Sequence, residues 1–266
     1  PGNYGPITTT PAFAFHLRGS GGTPVFTAVS TDVGVFTTSL AVTNCTFNGR
    51  FHTTNGTRVF ENVIFQNSAE DGLWADGTGE VYCKSCQAIN NNDDGFNYEG
   101  SVKFLEISCI GSNNGVGLGP NSNGSTAHNS CLGIRFNGIY ENNYRNVHDV
   151  NSAKTILINC TVNTSHGASG QETSMNVGAG LTSTGPHATT IWIYGGNCTG
   201  GATVDFYTSA FCTINKLNTV VGIDSTGGGT FNTSWGSLNP DRLIPRDESD
   251  ITKDIFGFPL QYRLPV

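Results

Sequence analysis

The chain contains 266 residues, of which only 12% are charged and 35 are glycine. Its formal net charge is -7 and its Lys and Arg residues form no cluster, so we expect no nucleic-acid partner. No apolar run approaches the roughly 20 residues that cross a bilayer, and we predict no membrane span. Asn, Thr, Ser, Gly, Val and Ile outnumber the strong helix formers, which excludes an all-α fold.

Residues 1–32 carry no repeat, and we expect them to form an irregular or capping segment. After them a short phrase recurs with a period of about 23 residues, in which an apolar and a polar residue precede Cys or a small residue. Its copies align one column, which consists of Cys45, Val63, Cys86, Cys109, Gly138 and Cys160. A second phrase follows across a turn, in Asp71–Asp76 and Asp94–Glu99, and we assign its third copy to Asn114–Leu118.

Short β-rich phrases at such a period, separated by Asn and Gly turns, predict a parallel solenoid. Over residues 33–239 it would make roughly ten coils, each stacked about 4.8 Å from the previous one. Asn and Gly are expected at the corners because both tolerate positive φ. Residues 240–266 lack the repeat, and we predict an extended tail that covers the open end of the solenoid or reaches a neighbouring subunit.

Through the phrases Glu70–Leu73, Asn92–Asn97 and Ile158–Cys160, the chain resembles the right-handed parallel β-helix proteins. These form the pectate-lyase-like superfamily, which includes polysaccharide lyases, polygalacturonases and bacteriophage tailspikes. The resemblance implies an all-β, right-handed parallel β-helix that acts on polysaccharide outside the cell or on a virion surface. Because tailspikes of this kind associate as trimers, it also implies a homotrimer.

Period-2 alternation places every second side chain of the second phrase on the outside of the solenoid. An aromatic ring beside carboxylates suits a sugar, because the ring packs on its apolar face while acids and amides bind its hydroxyls. The predicted outward residues are Trp74, Asp76, Asn97, Glu99, Asp205 and Tyr207. In the alternative, which stays open, Trp74 only covers the sheet and the acids keep this face solvated.

Three acids form a sharper candidate, because Asp71 and Asp94 lie one repeat apart and therefore on adjacent coils, with Asp93 beside them. Like charges this close cannot all ionise, so one carboxyl should have a raised pKa and act as a general acid. The set resembles that of polygalacturonase-type hydrolases. That likeness implies Asp93 as the proton donor and Asp71 with Asp94 as activators of water, although residues 114–117 lack the family's Gly-His-Gly.

Two other interpretations of these acids stay open. Asp at a solenoid corner commonly hydrogen-bonds the backbone, and stacked carboxylates can hold Ca²⁺. If Asp93 and Asp94 only form turns, Asp76 and Glu99 are the next candidate catalytic pair. We expect no other cofactor and no metal site of the zinc type, because the chain has a single Cys-x-x-Cys pair.

The step from Cys109 to Gly138 is longer than the others and marks one long coil, whose excess over residues 118–129 we interpret as a polar loop beside the acids. His128 on this loop and Arg135 after it would bind the carboxylate of an acidic sugar. The alternative for His128 is a solvated surface residue.

The favoured function is therefore recognition and hydrolysis of a polysaccharide by paired carboxylates, as in a tailspike or a secreted depolymerase. A non-catalytic spike, adhesin or carbohydrate-binding protein is the alternative, which the missing His favours. A polysaccharide lyase is a third hypothesis, and it requires a base together with cations that hold a uronate.

Overall fold

The computed structural model describes residues 2–7, 15–20, 22–115, 122–166, 173–178, 188–202, 204–222 and 224–233. These ranges contain β-strands and no helix, which confirms the all-β class. The strands form a 17-stranded and a 10-stranded sheet, and all pairings between these strands are parallel. The predicted tail, residues 240–266, lies outside the described residues.

Each coil has three sides. The larger sheet forms two of them, since two of its long strands bend and run along both, and the smaller sheet forms the third. The two long strands are β3 (Val25–Phe36) and β5 (Thr46–Thr54). Side 1 also contains β1 (Asn3–Tyr4), β7 (Ile64–Gln66), β10 (Gln87–Ile89), β13 (Ile110–Ser112), β16 (Ile139–Glu141), β19 (Thr161–Asn163), β22 (Asn197–Thr199) and β25 (Val220–Val221). Side 2 also contains β8 (Leu73–Asp76), β11 (Phe96–Tyr98), β14 (Asn123–Ala127), β17 (Arg145–Val150), β20 (Thr173–Gly178), β23 (Val204–Ser209) and β26 (Asp224–Gly227).

Side 3 is the 10-stranded sheet. It contains β2 (Phe15–Arg18), β4 (Leu40–Thr43), β6 (Thr57–Glu61), β9 (Thr78–Lys84), β12 (Ser101–Ile107), β15 (Leu132–Phe136), β18 (Lys154–Ile158), β21 (Thr190–Tyr194), β24 (Thr213–Leu217) and β27 (Thr230–Asn232). Each strand pairs with the strands of the same side one coil before and one coil after, which gives a solenoid-like β fold.

Backbone hydrogen bonds between coils follow the repeat read from the sequence. The amide nitrogen of Ile64 donates to the carbonyl oxygen of Cys45 over 2.9 Å, and that of Ile110 donates to Cys86 over 2.9 Å. The equivalent bond recurs at Gln87, Ile139, Thr161 and Asn197. The predicted column from Cys45 to Cys160 is therefore confirmed, although its steps vary in length.

The corners of the coil are made by residues with positive φ. Between side 3 and side 1, φ is 54° at Asn44, 53° at Asn62 and 52° at Asn137. Equivalent residues between side 1 and side 2 are Asn67, Asn90, Asn113 and Asn142, and between side 2 and side 3 they are Gly77, Gly100, Asn129 and Asn151. Asn and Gly adopt this region at the lowest steric cost, so their predicted place at the corners is confirmed.

The interior of the solenoid is filled by apolar residues and thiols. Phe47 packs on Phe65 with ring centroids 5.9 Å apart, and the eight cysteines are free and buried. The thiol of Cys109 donates to the carbonyl oxygen of Cys83 at 3.4 Å, and the thiol of Cys160 donates to that of Arg135 at 3.2 Å. The cysteines act as small core residues whose weak donors are satisfied by the backbone.

Arg135 corrects one expectation, because it lies inside the solenoid and its side chain is 0% exposed. Its Nη2 and Nη1 donate to the two carboxylate oxygens of Asp149 at 2.9 and 3.2 Å, and its Nε donates to Ser125 at 2.8 Å. Glu106 is also buried there and accepts from Ser125 at 2.7 Å. Strand alternation points Arg135 inward between two outward apolar neighbours, so the prediction that it binds a sugar carboxylate is wrong.

The long coil also differs from its prediction. Phe96 pairs with Ser125, so the third copy of the side 2 phrase is β14 and not Asn114–Leu118. Asn114 instead accepts a 2.9 Å bond from the amide of Asn91 inside the corner. Residues 123–127 therefore form a strand within the segment that we interpreted as a loop, while residues 116–121 lie outside the described residues.

Asn137 is a corner residue whose φ is 52° and whose side chain is exposed. A substitution there changes the cost of positive φ without changing the core, so it measures how much this backbone conformation contributes to stability. We expect Asn137→Val to lower the free energy of unfolding by about 1–2 kcal/mol, because a β-branched residue is disfavoured in the left-handed region. Urea unfolding measures this change. Asn137→Gly is the matched control and should cost much less; equal losses for both variants would contradict this origin of the corner.

Candidate functional site

The candidate site lies where side 2 begins, on the outward surface of neighbouring coils. Pairing of Leu73 with Phe96 puts Asp71 and Asp94 in one column, as their spacing of one repeat predicts. Asp71, Asp93 and Asp94 each offer a carboxylate oxygen, and these oxygens lie within 4.8 Å of one another. We call these three residues the carboxyl cluster.

Two members of the carboxyl cluster bond to the backbone of the following coil. Oδ1 of Asp71 accepts from the amide nitrogen of Asp94 at 3.2 Å. Oδ1 of Asp94 accepts from both the backbone nitrogen and the side-chain nitrogen of Asn123, each at 2.7 Å. Since Asn123 occupies the next position of the same column, an asparagine fits this ladder, and backbone bonding alone does not require a carboxyl group.

The electrostatics of the cluster favour retained protons. Burial, followed by repulsion from Asp93, raises the pKa of Asp71 to about 7. Hydrogen bonds from the Asp94 backbone and from Asn97, together with the charge of Arg50, lower this pKa and so partly offset the rise. Burial and then the two neighbouring acids raise the pKa of Asp94 well above its ordinary value. Burial and Glu70 also raise the pKa of Asp93, which is the more exposed member. The cluster can therefore donate a proton near neutral pH.

An aromatic stack lies next to the carboxyl cluster. The rings of Trp74 and His52 stack with centroids 4.0 Å apart and planes 11° apart. The guanidinium carbon of Arg50 lies 4.7 Å from the centroid of Trp74, and Arg50 also pairs with Asp32 at 2.7 Å and with Glu70. His52 and Arg50 both belong to the coil before Trp74, so they pack against the indole from that coil.

Two polar atoms in this region lack hydrogen-bond partners within the described part of the chain. They are Nε1 of Trp74 and Oδ1 of Asn97, which are both buried and whose residues are paired across adjacent coils. Nε2 of His52 and Oδ1 of Asp76 also lack hydrogen bonds in this part of the chain but lie 3.5 Å from each other. Asn97 is 7% exposed, and its side chain hydrogen-bonds Asp71. A hydroxyl-rich ligand at this surface could satisfy a donor and an acceptor that are otherwise unpaired.

Asp76 and Glu99 lie at the other end of the same strands. Asp76 follows Asp71 by five positions, which corresponds to about 16 Å along an extended chain. Oδ1 of Asp76 lies 3.5 Å from Nε2 of His52. The structure thus divides the predicted acids between two ends of the aromatic stack, and only the carboxyl cluster brings three of them together.

His128 follows Glu99 in the column at that far end. Its Nε2 lies 3.2 Å from the hydroxyl oxygen of Thr126, and burial lowers its pKa although Glu99 and Asp149 act in the opposite direction. Tyr207 continues the outward column of Asn97 four coils further, about 19 Å away at about 4.8 Å per coil. Tyr207 therefore shares the face but does not join the carboxyl cluster.

Three neighbours of the carboxyl cluster were missed in the sequence: Arg50, His52 and Glu70. Arg50 and His52 belong to β5, where the coil lacks the Asp-Gly phrase that marks the later copies. The spacing between His52 and Trp74 was the available signal, because it is close to one period of the repeat and the two residues pair across adjacent coils.

Comparisons with protein-family models, with curated proteins and with solved structures find no match for this chain. The site is therefore interpreted from its own geometry. Within the described residues, no helix has the length and apolar character needed to span a membrane.

The raised pKa of Asp94 has a measurable effect on stability. A carboxyl whose folded-state pKa is raised stabilises the fold below its unfolded pKa of about 4, and this contribution is lost as pH rises toward the folded pKa. We therefore expect Asp94→Asn to match the unsubstituted protein near pH 4 and to exceed its free energy of unfolding by about 1 kcal/mol or more at pH 8. Urea unfolding across this pH range measures the difference.

The matched control is Glu80→Gln on β9, which removes one charge on side 3 and should preserve the original pH dependence. A stability gap for Asp94→Asn that is constant from pH 4 to pH 8 would show that Asp94 does not retain a proton in the folded state.

Proposed function

We propose that the protein binds a polysaccharide on the outward surface of side 2 and hydrolyses it with the carboxyl cluster. One observation carries this proposal: Asp71, Asp93 and Asp94 bring carboxylate oxygens within 4.8 Å of one another. Burial and repulsion from Asp93 raise the pKa of Asp71 to about 7. A buried acid that retains its proton near neutral pH suits general acid catalysis of glycoside cleavage.

We assign the proton donor to Asp71 and the ionised nucleophile to Asp93, because carboxyl groups this close have the spacing of retaining glycosidases and leave no room for a water between them. Asp71 donates its proton to the glycosidic oxygen as the bond from that oxygen to the anomeric carbon breaks. Asp93, which is less buried, bonds to that carbon through a carboxylate oxygen. Water then displaces Asp93 and gives its proton to Asp71, which restores both side chains. Asp94 holds the ladder together through its bonds to Asn123, and its backbone nitrogen donates to Asp71, which lowers the pKa of Asp71. The family resemblance implies Asp93 as the proton donor. We assign Asp71 instead, because it is more deeply buried than Asp93.

Substrate contacts come from the groups beside the cluster. Trp74 is partly exposed and would pack against a sugar ring, while its N–H and the carbonyl oxygen of Asn97 are buried and have no hydrogen-bond partner in the described residues. Asp76, Glu99 and His128 lie further along the strands and would contact the next sugar units, while Tyr207 would bind a distant part of the chain. A polymer that runs along the strands would reach the acids at both strand ends, and one that crosses the coils would reach Tyr207.

The fold we propose for residues 33–239 is a right-handed parallel β-helix of about ten coils, like that of the pectate-lyase-like superfamily. A polysaccharide substrate favours a protein located outside the cell or on a virion surface.

In a tailspike-like protein the assembly would be a homotrimer. Light scattering of the full chain would then give three times its 28.1 kDa, and a monomer would leave a secreted depolymerase.

A non-catalytic carbohydrate-binding protein is the second candidate. It is favoured by the backbone bonds of Asp71 and Asp94, because these two acids then have a structural role that accounts for their position. In this case the unpaired polar atoms of Trp74 and Asn97 bind sugar without any cleavage. Ca²⁺ held by the carboxyl cluster would suit either a binder or a lyase.

A panel of capsular and plant polysaccharides distinguishes these functions. We expect reducing ends without absorbance at 235 nm, and this activity should persist in EDTA. Absorbance at 235 nm would identify a lyase, while binding without new reducing ends would identify the non-catalytic protein.

On the polysaccharide that is cleaved, Asp71→Asn and Asp93→Asn should each lower kcat by at least about 100-fold, the usual scale for loss of a general acid or base. Asp94→Asn retains the backbone bond to Asp71, so kcat should fall much less than in these two variants. Circular dichroism should be unchanged in all three. Glu80→Gln is the control that keeps full activity. Normal cleavage by both Asp71→Asn and Asp93→Asn would exclude the cluster and move the search to Asp76 and Glu99.

The pH profile of kcat tests the proton donor. The rate should fall as pH rises through about 7, where Asp71 loses its proton. The positive charge of Arg50 lowers this pKa, so Arg50→Gln should move the alkaline limb to higher pH. Arg18→Gln, an exposed arginine on β2, should leave the limb in place. A limb that moves to lower pH in Arg50→Gln would contradict the assignment of the donor.

A further inference from the structure

Side 3 carries an apolar layer on its outward surface, separate from the interior core. Alternation along β12, β15 and β18 points Glu106, Arg135 and Leu157 into the solenoid, and their neighbours therefore point outward. The outward layer, which we call the side 3 apolar face, consists of Leu105, Ile107, Ile134, Phe136, Ile156 and Ile158, flanked by Tyr82, Trp192, Tyr194 and Leu217.

These outward side chains are almost completely shielded from solvent within the single chain. Leu105 and Ile156 are 1% exposed, Ile134 is 3% exposed and Ile158 is 0% exposed. Every described member of the cluster belongs to the six strands β9, β12, β15, β18, β21 and β24 of the same sheet. Side chains on one surface of one sheet cover each other laterally but not at their tips, so burial to this extent requires a second layer.

We propose that residues 234–266 of the same chain pack on the side 3 apolar face and form this second layer. The chain leaves the described solenoid at β27, which is the last strand of side 3 itself. From β27 back to β12 the sheet spans five strand spacings, about 24 Å, whereas residues 234–266 reach about 50 Å even as a helix. The segment is therefore long enough and begins at the correct edge.

The composition of the segment matches the surface that it would cover. Its apolar residues include Ile251, Ile255, Phe256, Phe258, Leu260 and Tyr262, which lie among charged residues. Residues 179–187, which precede β21, supply a single large apolar side chain, Leu181, and are too few to cover six strands. Because the face is already shielded in a single chain, a second copy is not required to cover it.

Photo-crosslinking in the full chain tests this contact. Trp192→p-benzoylphenylalanine and Tyr194→p-benzoylphenylalanine replace one large aromatic residue by another at the border of the apolar face. After irradiation of mixed isotopically light and heavy chains, mass spectrometry should find crosslinks from these positions to residues 234–266 within one chain. Ile139→p-benzoylphenylalanine, on the outward surface of side 1 where Ile139 is 38% exposed, is the control and should give none.

Light-to-heavy crosslinks from the apolar face would show that a second copy covers it, and crosslinks to other segments of the same chain would identify a different cover. Either result would overturn the proposal.

A second measurement uses the fact that the eight native cysteines are buried. In the full chain, the thiol of Ile156→Cys should react with a maleimide at least about 10-fold more slowly than that of Ser130→Cys, an exposed corner position. Adding Phe256→Asp and Phe258→Asp should remove this protection, while Ser130→Cys should react at an unchanged rate. Protection of Ile156→Cys that survives both tail substitutions would count against residues 234–266 as the cover, and rapid reaction without them would refute the second layer.

Discussion

The structure depends on the hydrogen bonds that join each coil to the next. Because every strand pairs in parallel with its equivalent one coil away, a residue type at one position recurs about 4.8 Å along the stack. This repetition creates columns of Asn at the corners, thiols in the core and apolar residues on the outside of side 3. It also creates the carboxyl cluster, since stacking two Asp-containing corners forces their charges together. The candidate site is a direct product of the coil-to-coil register.

The buried carboxyl groups of this cluster lower the stability of the fold at neutral pH, and the asparagines elsewhere in the corner do not. The interior ladder of Asn91, Asn114 and Asn143 satisfies backbone donors with neutral amides, whereas Asp71 and Asp94 do so with buried carboxyls. A neutral residue fits the same column at Asn123. A buried carboxyl at a position where an amide fits lowers stability at neutral pH. The proposed hydrolysis gives a reason why acids are present at these two positions. Stability and activity therefore make opposite demands on the same two side chains.

The sequence predicted the features that repeat and missed those that depend on neighbours. The column from Cys45 to Cys160 and the corner asparagines follow from spacing and from φ, and both were found. The third copy of the side 2 phrase was misplaced because Asn114 starts a Gly-containing phrase, yet its amide bonds inside the corner. Arg135 was assigned to the sugar-binding surface because it follows the long coil; its pairing with Asp149 and its bond to Ser125, which the sequence does not reveal, allow it to be buried. Arg50 and His52 belong to a coil that lacks the marker phrase.

The stacking of one coil on the next has a mechanical consequence. Each coil contacts only its two neighbours, so the ends of such a stack open before its middle. The carboxyl cluster and the aromatic stack occupy β5, β8 and β11, which have paired strands on both sides. Fraying from either terminus must therefore remove whole coils before it disturbs these residues. We expect the site to stay folded while the terminal coils open and close.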